Sequence, residues 1–334
     1  MNNKYSPRER FEMTMKGEMP EKPDRFAVSL WRHFFHVESS AEQMAEVMIE
    51  YQNKYSWDFM KINPRASFHT EDWGNKLDWS TDEFSNHKHT VYAINTPDDW
   101  DKIDILPPTA PVLTDHLSAI NLIRKKCGPD LPLLMTLFNP VGIARRLVGN
   151  REEFLKQLRT FPDKVTGAIE RITKTFEVYV PEILNAGADG LFFATLNIAS
   201  ADAMPYEQYN DFCRPFDLRI LKAASNSKYN LLHVCDSNNY LKQLSDYPVS
   251  LINWNAADPT NINLEDSFEF LGDKTVIGGL DDLGWLLNGT PDEIKNEMNK
   301  VKERMAGKRF IFGPGCAINP RVPHENIMAV LDNL

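Results

Sequence analysis

A histidine and a cysteine one residue apart, His233 and Cys235, end the apolar run "NLLHVC". Side chains two apart on a strand project from the same face, so the pair could act on one bound group. Another apolar run, in "FIFGPGC", is followed by Cys316. One imidazole and two thiolates are a preferred ligand set for zinc, and three protein ligands leave a fourth coordination position open for a reactant. The three residues therefore predict a catalytic zinc site, although His-x-Cys alone would also fit an ordinary buried strand or a redox cysteine.

The ligand types indicate what such a site could do. A zinc ion with two thiolates and a neutral imidazole carries no net charge, so an incoming thiolate or carboxylate meets no strong repulsion. Two sulfur ligands make zinc a milder Lewis acid than histidines alone would, which suits holding a nucleophilic thiolate. A fourth ligand from the protein would be Asp281, Asp282 or Glu71. Closing the site in that way would favour a zinc-stabilised binding protein without catalysis.

Eight short apolar runs must position these residues. They are continuous rather than alternating, which is typical of parallel strands covered on both faces. Helical segments lie between them, some opening with a cap residue and a proline, as at Ser6-Pro7 and Thr96-Pro97. Eight strands that each lead into a helix over roughly 300 residues predict an α/β fold, a (β/α)8 TIM barrel. The predicted strands are FAVSL from Phe26, DFMKI from Asp58, LPLLMTL from Leu131, DGLFFA from Asp189, NLLHVC from Asn230, LINWN from Leu251, TVIGGL from Thr275 and RFIFG from Arg309.

The predicted barrel brings the chemistry to one end, because active sites of such barrels lie at the C-terminal ends of the strands. His233 and Cys235 end the fifth strand and Cys316 follows the eighth, so the three can converge on the barrel mouth. Just before Cys316, Gly313 and Gly315 would let the backbone pass close to a bound cofactor. We predict one domain over 1–334, with an N-terminal helical extension and a long loop, 63–108, after the second strand.

Other residues near the predicted mouth are candidates by position. Asn139 and Asn197 lie just beyond the third and fourth strands, where neutral amides could orient substrate or cofactor groups or cap a loop. His69, in the long loop, could carry a proton because imidazole titrates near neutral pH. His87 and His89 resemble a metal pair by spacing, but their polar setting favours a solvated loop. The stretch "SLWRHFF" offers aromatic contacts to a substrate, or packing beneath the loop, through Trp31, His33 and Phe35.

Charge and composition exclude some classes of function. The chain has 37 basic and 47 acidic residues and a net charge of −10, which disfavours binding to nucleic acid or an anionic membrane. The N-terminus has no apolar signal region, and no run is long enough to cross a membrane. The four cysteines include no CxxC pair. We therefore expect a cytoplasmic protein with reduced thiols.

Several motifs resemble the uroporphyrinogen decarboxylase superfamily, and most closely its zinc-dependent corrinoid methyltransferase branch. They are "LLHVCD", "INWNAADPTNINLED", "TVIGGL" and "FIFGPGCAINPRVPHENIMAVL". The resemblance implies a (β/α)8 barrel and methyl transfer between a cobalamin (corrinoid), bound to a separate carrier protein, and a small substrate. The substrate could be a thiol that accepts the methyl group, which the neutral site favours, or a methylated compound such as a methyl ether that donates it, which the aromatic residues favour.

The decarboxylase branch of this superfamily is the alternative. Its arginine-rich stretch after the first strand grips substrate carboxylates, and here the matching stretch "WRHFFH" keeps Arg32 but has His36 in place of the second arginine. The essential aspartate of that branch has no clear counterpart in "KINPRASF". A substrate with many carboxylates needs a strongly cationic floor, and part of that floor is missing here. A cofactor-free decarboxylase is therefore only the second prediction from the sequence.

Overall fold

Seven parallel strands form a curved sheet in the computed structural model, which describes residues 4–18 and 24–334. Two further short strands pair as an antiparallel hairpin. The sheet order is β1-β4-β5-β6-β7-β8-β9, so each strand pairs with the next one of the sheet along the chain. The strands are β1 (Met60–Ile62), β2 (Lys76–Asp78), β3 (Lys88–Val91), β4 (Leu133–Phe138), β5 (Gly190–Ala194), β6 (Leu231–Val234), β7 (Leu251–Trp254), β8 (Thr275–Leu280) and β9 (Phe310–Pro314).

The segment around Val28 lies between the two ends of this sheet. The Ser29 amide donates to the Phe312 carbonyl (3.0 Å), and the Phe312 amide donates to Ala27 (2.8 Å). On the other side, the Asp58 amide donates to the Val28 carbonyl (2.9 Å). The predicted first strand is therefore present as a single parallel bridge, Val28 to Phe312, and the segment closes the ring. The predicted barrel fold is confirmed, and seven of the eight predicted strands are regular strands of the sheet.

Helices surround the ring, and several begin as the sequence predicts. Ser6 caps the first helix and forms a capping box with Glu9, while Gly17 ends that helix with a φ of 69°. The 3-10 helix Pro97–Lys102 likewise starts at the predicted Thr96-Pro97 cap. The α-helices are α1 (Pro7–Lys16), α2 (Ala41–Tyr55), α3 (Phe68–Glu71), α4 (Pro111–Cys127), α5 (Pro140–Val148), α6 (Arg151–Thr160), α7 (Pro162–Asn185), α8 (Tyr206–Gln208), α9 (Arg214–Ala223), α10 (Leu264–Ser267), α11 (Trp285–Asn288), α12 (Pro291–Met305) and α13 (His324–Asp332).

The long loop predicted over 63–108 has structure of its own. It contains α3, the β2–β3 hairpin and the 3-10 helix. The hairpin strands are exposed or half-buried, in contrast to the fully buried barrel strands. The region is thus an ordered cover beside the barrel mouth rather than an irregular loop.

One apolar layer fills the inside of the barrel. Six strands of the ring, the closing segment and the residue just before β1 each contribute a buried residue to it, and Phe11 of α1 joins from below. The residue two positions further along a strand shares its face, so the next inward positions include Lys61, His233 and Asn253. The barrel interior therefore changes from apolar to polar toward the C-terminal ends of the strands. The contributing residues of the apolar layer are Ala27, Phe59, Leu134, Phe192, Leu231, Leu251, Ile277 and Ile311.

Among the residues that the structure describes, no helix combines the length and the apolar character needed to span a membrane.

Candidate functional site

His233 points into the barrel from β6 and is 4% exposed. Its Nδ1 lies 2.6 Å from Oδ1 of Asn253 on the neighbouring strand. The Asn253 amide donates both of its hydrogens, to the carbonyls of Ile277 (2.9 Å) and Pro314 (3.0 Å), which fixes its orientation. Its oxygen must therefore accept the hydrogen bond from Nδ1–H of His233. In the neutral imidazole this assignment leaves the lone pair on Nε2 of His233, where it is available for a ligand.

The two cysteines follow the ends of their strands at the barrel mouth. Cys235 is half-buried and comes directly after β6, whereas Cys316 is exposed and comes two residues after β9. Desolvation raises the pKa of the Cys316 thiol, while the charge of Lys61 acts in the opposite direction. Both cysteines therefore lie at the mouth, as the predicted site requires, and the Cys316 thiol itself is desolvated.

The glycines before Cys316 are needed for close packing of the protein itself. A side-chain carbon at Gly313 would lie 2.6 Å from Cγ2 of Ile277, and one at Gly315 would lie 2.8 Å from Asn255. The Gly315 amide donates to Oδ1 of buried Asp282 (2.8 Å). These contacts hold the strand end that carries Cys316, and the predicted cofactor contacts of the two glycines stay a prediction.

Lys61 is a functional candidate that the sequence reading missed. It is buried inside the barrel on β1, with its Nζ 4.6 Å from the ring centre of Phe192, and it donates to the Asn63 side chain. Burial lowers the pKa of Lys61 to about 8, and the charges of Cys316 and Cys235 act against that lowering. The ammonium group therefore lies within electrostatic reach of both cysteines. A lysine among the apolar residues that follow Asp58 in the predicted strand "DFMKI" is the one signal that could have pointed to it.

The nitrogen of His233 and the sulfurs of Cys235 and Cys316 are donor atoms of the types that fit zinc, but they do not converge on one point. Within residues 4–18 and 24–334, no three His, Cys, Asp or Glu side chains are placed to hold a metal ion together. An imidazole whose tautomer is fixed by an amide and two thiols at the same end of the barrel are nevertheless a suitable zinc set. Moving the side chains together would then be part of metal binding.

The three carboxylates considered as a fourth ligand already have other partners. Asp282 accepts the Gly315 amide, and burial raises its pKa to about 6. Asp281 accepts the Gly284 amide at 2.8 Å. Glu71 is paired with Arg65 through both oxygens (2.7 and 3.0 Å). These contacts favour a site with three protein ligands.

The stretch after the first strand separates into an inner and an outer part. Trp31 is buried and packs against the apolar layer, 5.5 Å from Phe192 between ring centres. His33 and Phe35 stack on each other with 5.1 Å between ring centres and remain partly exposed. Arg32 pairs with Glu83 of the hairpin region at 2.6 Å. His33 and Phe35 could thus contact a substrate, while Trp31 forms the floor.

Glu38 is a buried carboxylate that joins this stretch to the hairpin. One oxygen lies 2.7 Å from Nδ1 of His33, and the other lies 3.2 Å from Nε2 of His87. The Phe34 amide also donates to it (2.9 Å). Burial alone would raise the pKa of Glu38, but the charge of His33 and these hydrogen bonds lower it to about 2. His87 is therefore engaged with Glu38, and the His87–His89 spacing is not by itself a metal pair.

The remaining predicted residues make contacts within the protein. Asn139 is fully buried and caps α5, accepting the Gly142 amide at 3.2 Å. His69 is buried between aromatic rings, its Nε2 accepts the Phe138 amide (3.1 Å), and burial holds its pKa well below the usual value. These placements give both residues structural roles, and their predicted catalytic roles have no support from these contacts.

Asn197, in the 3-10 turn after β5, connects α5 to the turn that follows β6. Its amide donates to both oxygens of Asp236 (2.7 Å each), and its oxygen accepts from Arg145 (3.2 Å). Asp236 follows Cys235 directly and has a φ of 69°, a left-handed conformation that is strained for a residue with a side chain. Asn197 therefore holds the turn that follows Cys235. Its predicted contact with a cofactor stays a prediction.

The ring of parallel strands, with its polar residues gathered at the C-terminal ends, defines a (β/α)8-barrel protein with a candidate site at the barrel mouth. A family model described as uroporphyrinogen decarboxylase (URO-D) matches residues 19–334. The chain belongs to this family, which confirms the superfamily predicted from the His-x-Cys and Gly-Pro-Gly-Cys motifs.

Sequence relatives from Methanosarcina are named as methyltransferases. A methylcobamide:CoM methyltransferase of Methanosarcina barkeri is 29% identical over 217 residues, which are 64% of this chain and 61% of the relative. A methylated-thiol–coenzyme M methyltransferase of Methanosarcina mazei is 27% identical over 251 residues, covering 69% and 65% of the two chains. The chain thus spans less than two thirds of the length of these relatives.

Solved structures show the same fold. A methyltransferase from Methanosarcina mazei superposes with a TM-score of 0.81 over 99% of this chain and 98% of the other, at 22% identity. A B12-independent methionine synthase from Shewanella superposes with a TM-score of 0.55 over 92% and 96% of the chains, at 11% identity. At these identities the likeness concerns the fold alone.

Proposed function

We propose that the protein transfers a methyl group between a corrinoid on a carrier protein and a small thiol, with zinc held by His233, Cys235 and Cys316. The observation that carries the proposal is the hydrogen bond from His233 to Asn253, which leaves Nε2 free at the same end of the barrel as both cysteines. The names of the Methanosarcina relatives support a corrinoid as one methyl partner and a thiol as the other.

The residues of the chain would divide the work. Bound zinc would lower the pKa of the substrate thiol, so that its thiolate is present near neutral pH. Nε2 of His233 and the two cysteine sulfurs would hold the ion, and the Lys61 ammonium would offset part of the thiolate charge. Trp31 and the apolar layer beneath it would exclude water from below. The corrinoid would enter from the open mouth, above Asn197 and the strand end that contains Gly313 and Gly315.

A methylated donor such as a methyl ether is the second candidate substrate. The stacked pair His33 and Phe35 at the mouth favours it, because a partly exposed aromatic surface suits an apolar methyl ether. Decarboxylation is less well supported. Arg32, the remaining arginine of the carboxylate-gripping stretch, is already paired with Glu83. A second carboxylate would have to displace that pairing.

The test compares Cys316→Ser with Cys127→Ser. Cys127 ends α4 and is half-buried outside the barrel mouth, so its loss removes a thiol without touching the site. Bound zinc is measured by elemental analysis, and methyl transfer is measured from methylcobalamin to 2-mercaptoethanesulfonate. We expect Cys316→Ser to lose zinc and most methyl transfer while Cys127→Ser keeps both. Equal zinc and activity in the two variants would reject the proposal, and turnover of uroporphyrinogen by metal-free protein would favour the decarboxylase alternative.

A further inference from the structure

A second cavity lies beside the mouth, between the hairpin, the start of α3 and the end of α5. Its volume is about 210 Å³. That is below the roughly 300 Å³ at which pockets for drug-sized ligands begin, so it suits a small molecule or a single charged group. None of the residues that line it is acidic, and its polar wall includes two histidines and two arginines, His87, His89, Arg145 and Arg146.

Arg146 is the main reason to consider a ligand here. Among the described residues its guanidinium makes no hydrogen bond or ion pair, and its buried Nε has no partner. It lies over the Phe138 ring, 5.6 Å from the ring centre. Burial, followed by the neighbouring charge of Arg145, lowers the pKa of Arg146 to about 10. Arg146 is half-buried, and a partly buried guanidinium without an acidic partner is unfavourable, because buried charges in proteins are normally paired.

Two more side-chain nitrogens in the same wall also lack partners. Nε of Arg145 is buried without a hydrogen bond, although its Nη2 donates to Asn197 and the charge of Asp236 partly compensates it. Nδ1 of His89 is likewise buried without a partner, and its ring is stacked on Tyr92 with 5.0 Å between centres. The cavity wall therefore contains unpartnered nitrogens of three side chains and no acidic residue, and Nδ1 of His89 can donate in one of its two neutral tautomers.

We propose that this cavity binds a small oxyanion, in the form of a phosphate, sulfonate or carboxylate group, through Arg145, Arg146 and His89. Guanidinium groups pair with oxyanions through two parallel hydrogen bonds, and an anion between two arginines would remove their mutual repulsion. The ligand would also connect the hairpin that carries His89 to α5. The proposal does not depend on zinc or on methyl transfer.

The oxyanion could have two sources. It could be a free anion that stabilises the cover of the mouth, or the anionic end of a substrate whose reacting end reaches the cysteines. Arg145 is connected through Asn197 to Asp236, the residue after Cys235, so the cavity lies at the end of the barrel that holds the candidate site. The chemistry of recognition is the same for both sources.

Binding is tested on the full chain without added metal, by calorimetric titration with inorganic phosphate and with ethanesulfonate. Arg146→Gln removes the charge but keeps much of the length, and Arg159→Gln removes an exposed charge from α6 as the matched control. We expect at least one of these anions to bind the wild type and Arg159→Gln equally, and Arg146→Gln to bind it at least tenfold more weakly. Arg145→Gln should weaken binding as well, which keeps the test valid if Arg146→Gln does not fold. Binding of neither anion to the wild type, or unchanged affinity in the folded arginine variants, would overturn the proposal.

The source is identified by comparing 2-mercaptoethanesulfonate with 2-mercaptoethanol as methyl acceptors. If the oxyanion belongs to the substrate, Arg146→Gln raises KM for the sulfonate at least tenfold and leaves KM for the alcohol unchanged. If it is a free anion, both KM values stay unchanged while the calorimetric affinity falls. Either result supports the site, and because calorimetry needs no turnover, failure of methyl transfer alone leaves the binding result intact.

Discussion

Nδ1 of His233 lies 2.6 Å from Oδ1 of Asn253, directly across the β6–β7 pairing. Because the Asn253 amide is held by two backbone carbonyls, it fixes both the ring orientation and the tautomer of the histidine. Amide or carboxylate partners of this kind commonly orient histidines that bind metals. The relationship gives the proposed zinc site a supporting residue that can be tested separately from its ligands.

Replacing Asn253 with alanine should therefore weaken zinc binding without removing a ligand. We expect the zinc affinity of Asn253→Ala to fall about 10- to 100-fold, the range seen when such supporting partners are lost. Competition with a zinc-chelating dye measures it. Asn226→Ala, in an exposed turn, is the control and should match the wild type. Equal affinity in both variants would mean that Asn253 does not orient a zinc ligand.

Glu38 should make stability depend on acid. Its pKa in the folded state is about 2, below the 4.5 of a free side chain, so its contribution is complete above about pH 4.5 and is lost as the pH falls toward 2. At roughly 1.4 kcal/mol per pKa unit, the contribution is at most about 3.5 kcal/mol. The free energy of unfolding of Glu38→Gln should accordingly fall less than that of the wild type as the pH is lowered from about 6 to about 3. Urea denaturation measures both. Glu42→Gln, at an exposed position of α2, is the control and should show the same pH dependence as the wild type. If Glu38→Gln also shows the wild-type pH dependence, Glu38 does not stabilise the protein in the way described.

The sequence was sufficient for the fold but only partly for the site. Continuous apolar runs such as that of β6 identify buried parallel strands, because both faces are covered. The β2–β3 hairpin could not be predicted, since its strands have three and four residues and no apolar alternation. Asn253 was missed because an asparagine inside an apolar strand forms no motif with a histidine 20 positions away. Only the register of the closed barrel brings the two together.

The Asp58 carboxylate should be important for barrel closure. It is fully buried, pairs with Arg10 and Arg25 (2.6 Å each), and accepts the Val28 amide at 2.8 Å. Removing one partner of a buried ion pair leaves uncompensated charge, so Asp58→Ala should lower the free energy of unfolding by roughly 3–5 kcal/mol. Asp98→Ala, which breaks an exposed pair with Lys164, should cost less than about 1 kcal/mol. Urea denaturation measures both, and similar losses in the two variants would show that Asp58 does not hold the closing segment.

Asp217 should make the free energy of unfolding depend on pH with the sign opposite to that of Glu38. It is fully buried and accepts the hydroxyls of Tyr209 (2.6 Å) and Tyr247 (2.9 Å), and burial raises its pKa to about 7 despite these hydrogen bonds. Because the folded protein then holds a proton that the unfolded chain has released, stability falls as the pH rises from about 4 to about 7. Asp217→Asn cannot ionise, so its free energy of unfolding should increase relative to that of the wild type over this interval, by up to roughly 1.4 kcal/mol per pKa unit.

Asp211→Asn, an exposed change in the adjoining π-helical turn Tyr209–Cys213, serves as the control for Asp217→Asn. Urea denaturation of both variants and the wild type at several pH values gives the slopes directly. The absolute stability of Asp217→Asn is not the readout, because the amide changes the local hydrogen bonds as well as the charge. Parallel profiles for Asp217→Asn and the wild type would mean that Asp217 is already ionised in the folded protein at pH 4, and that its two tyrosine partners compensate its burial in full.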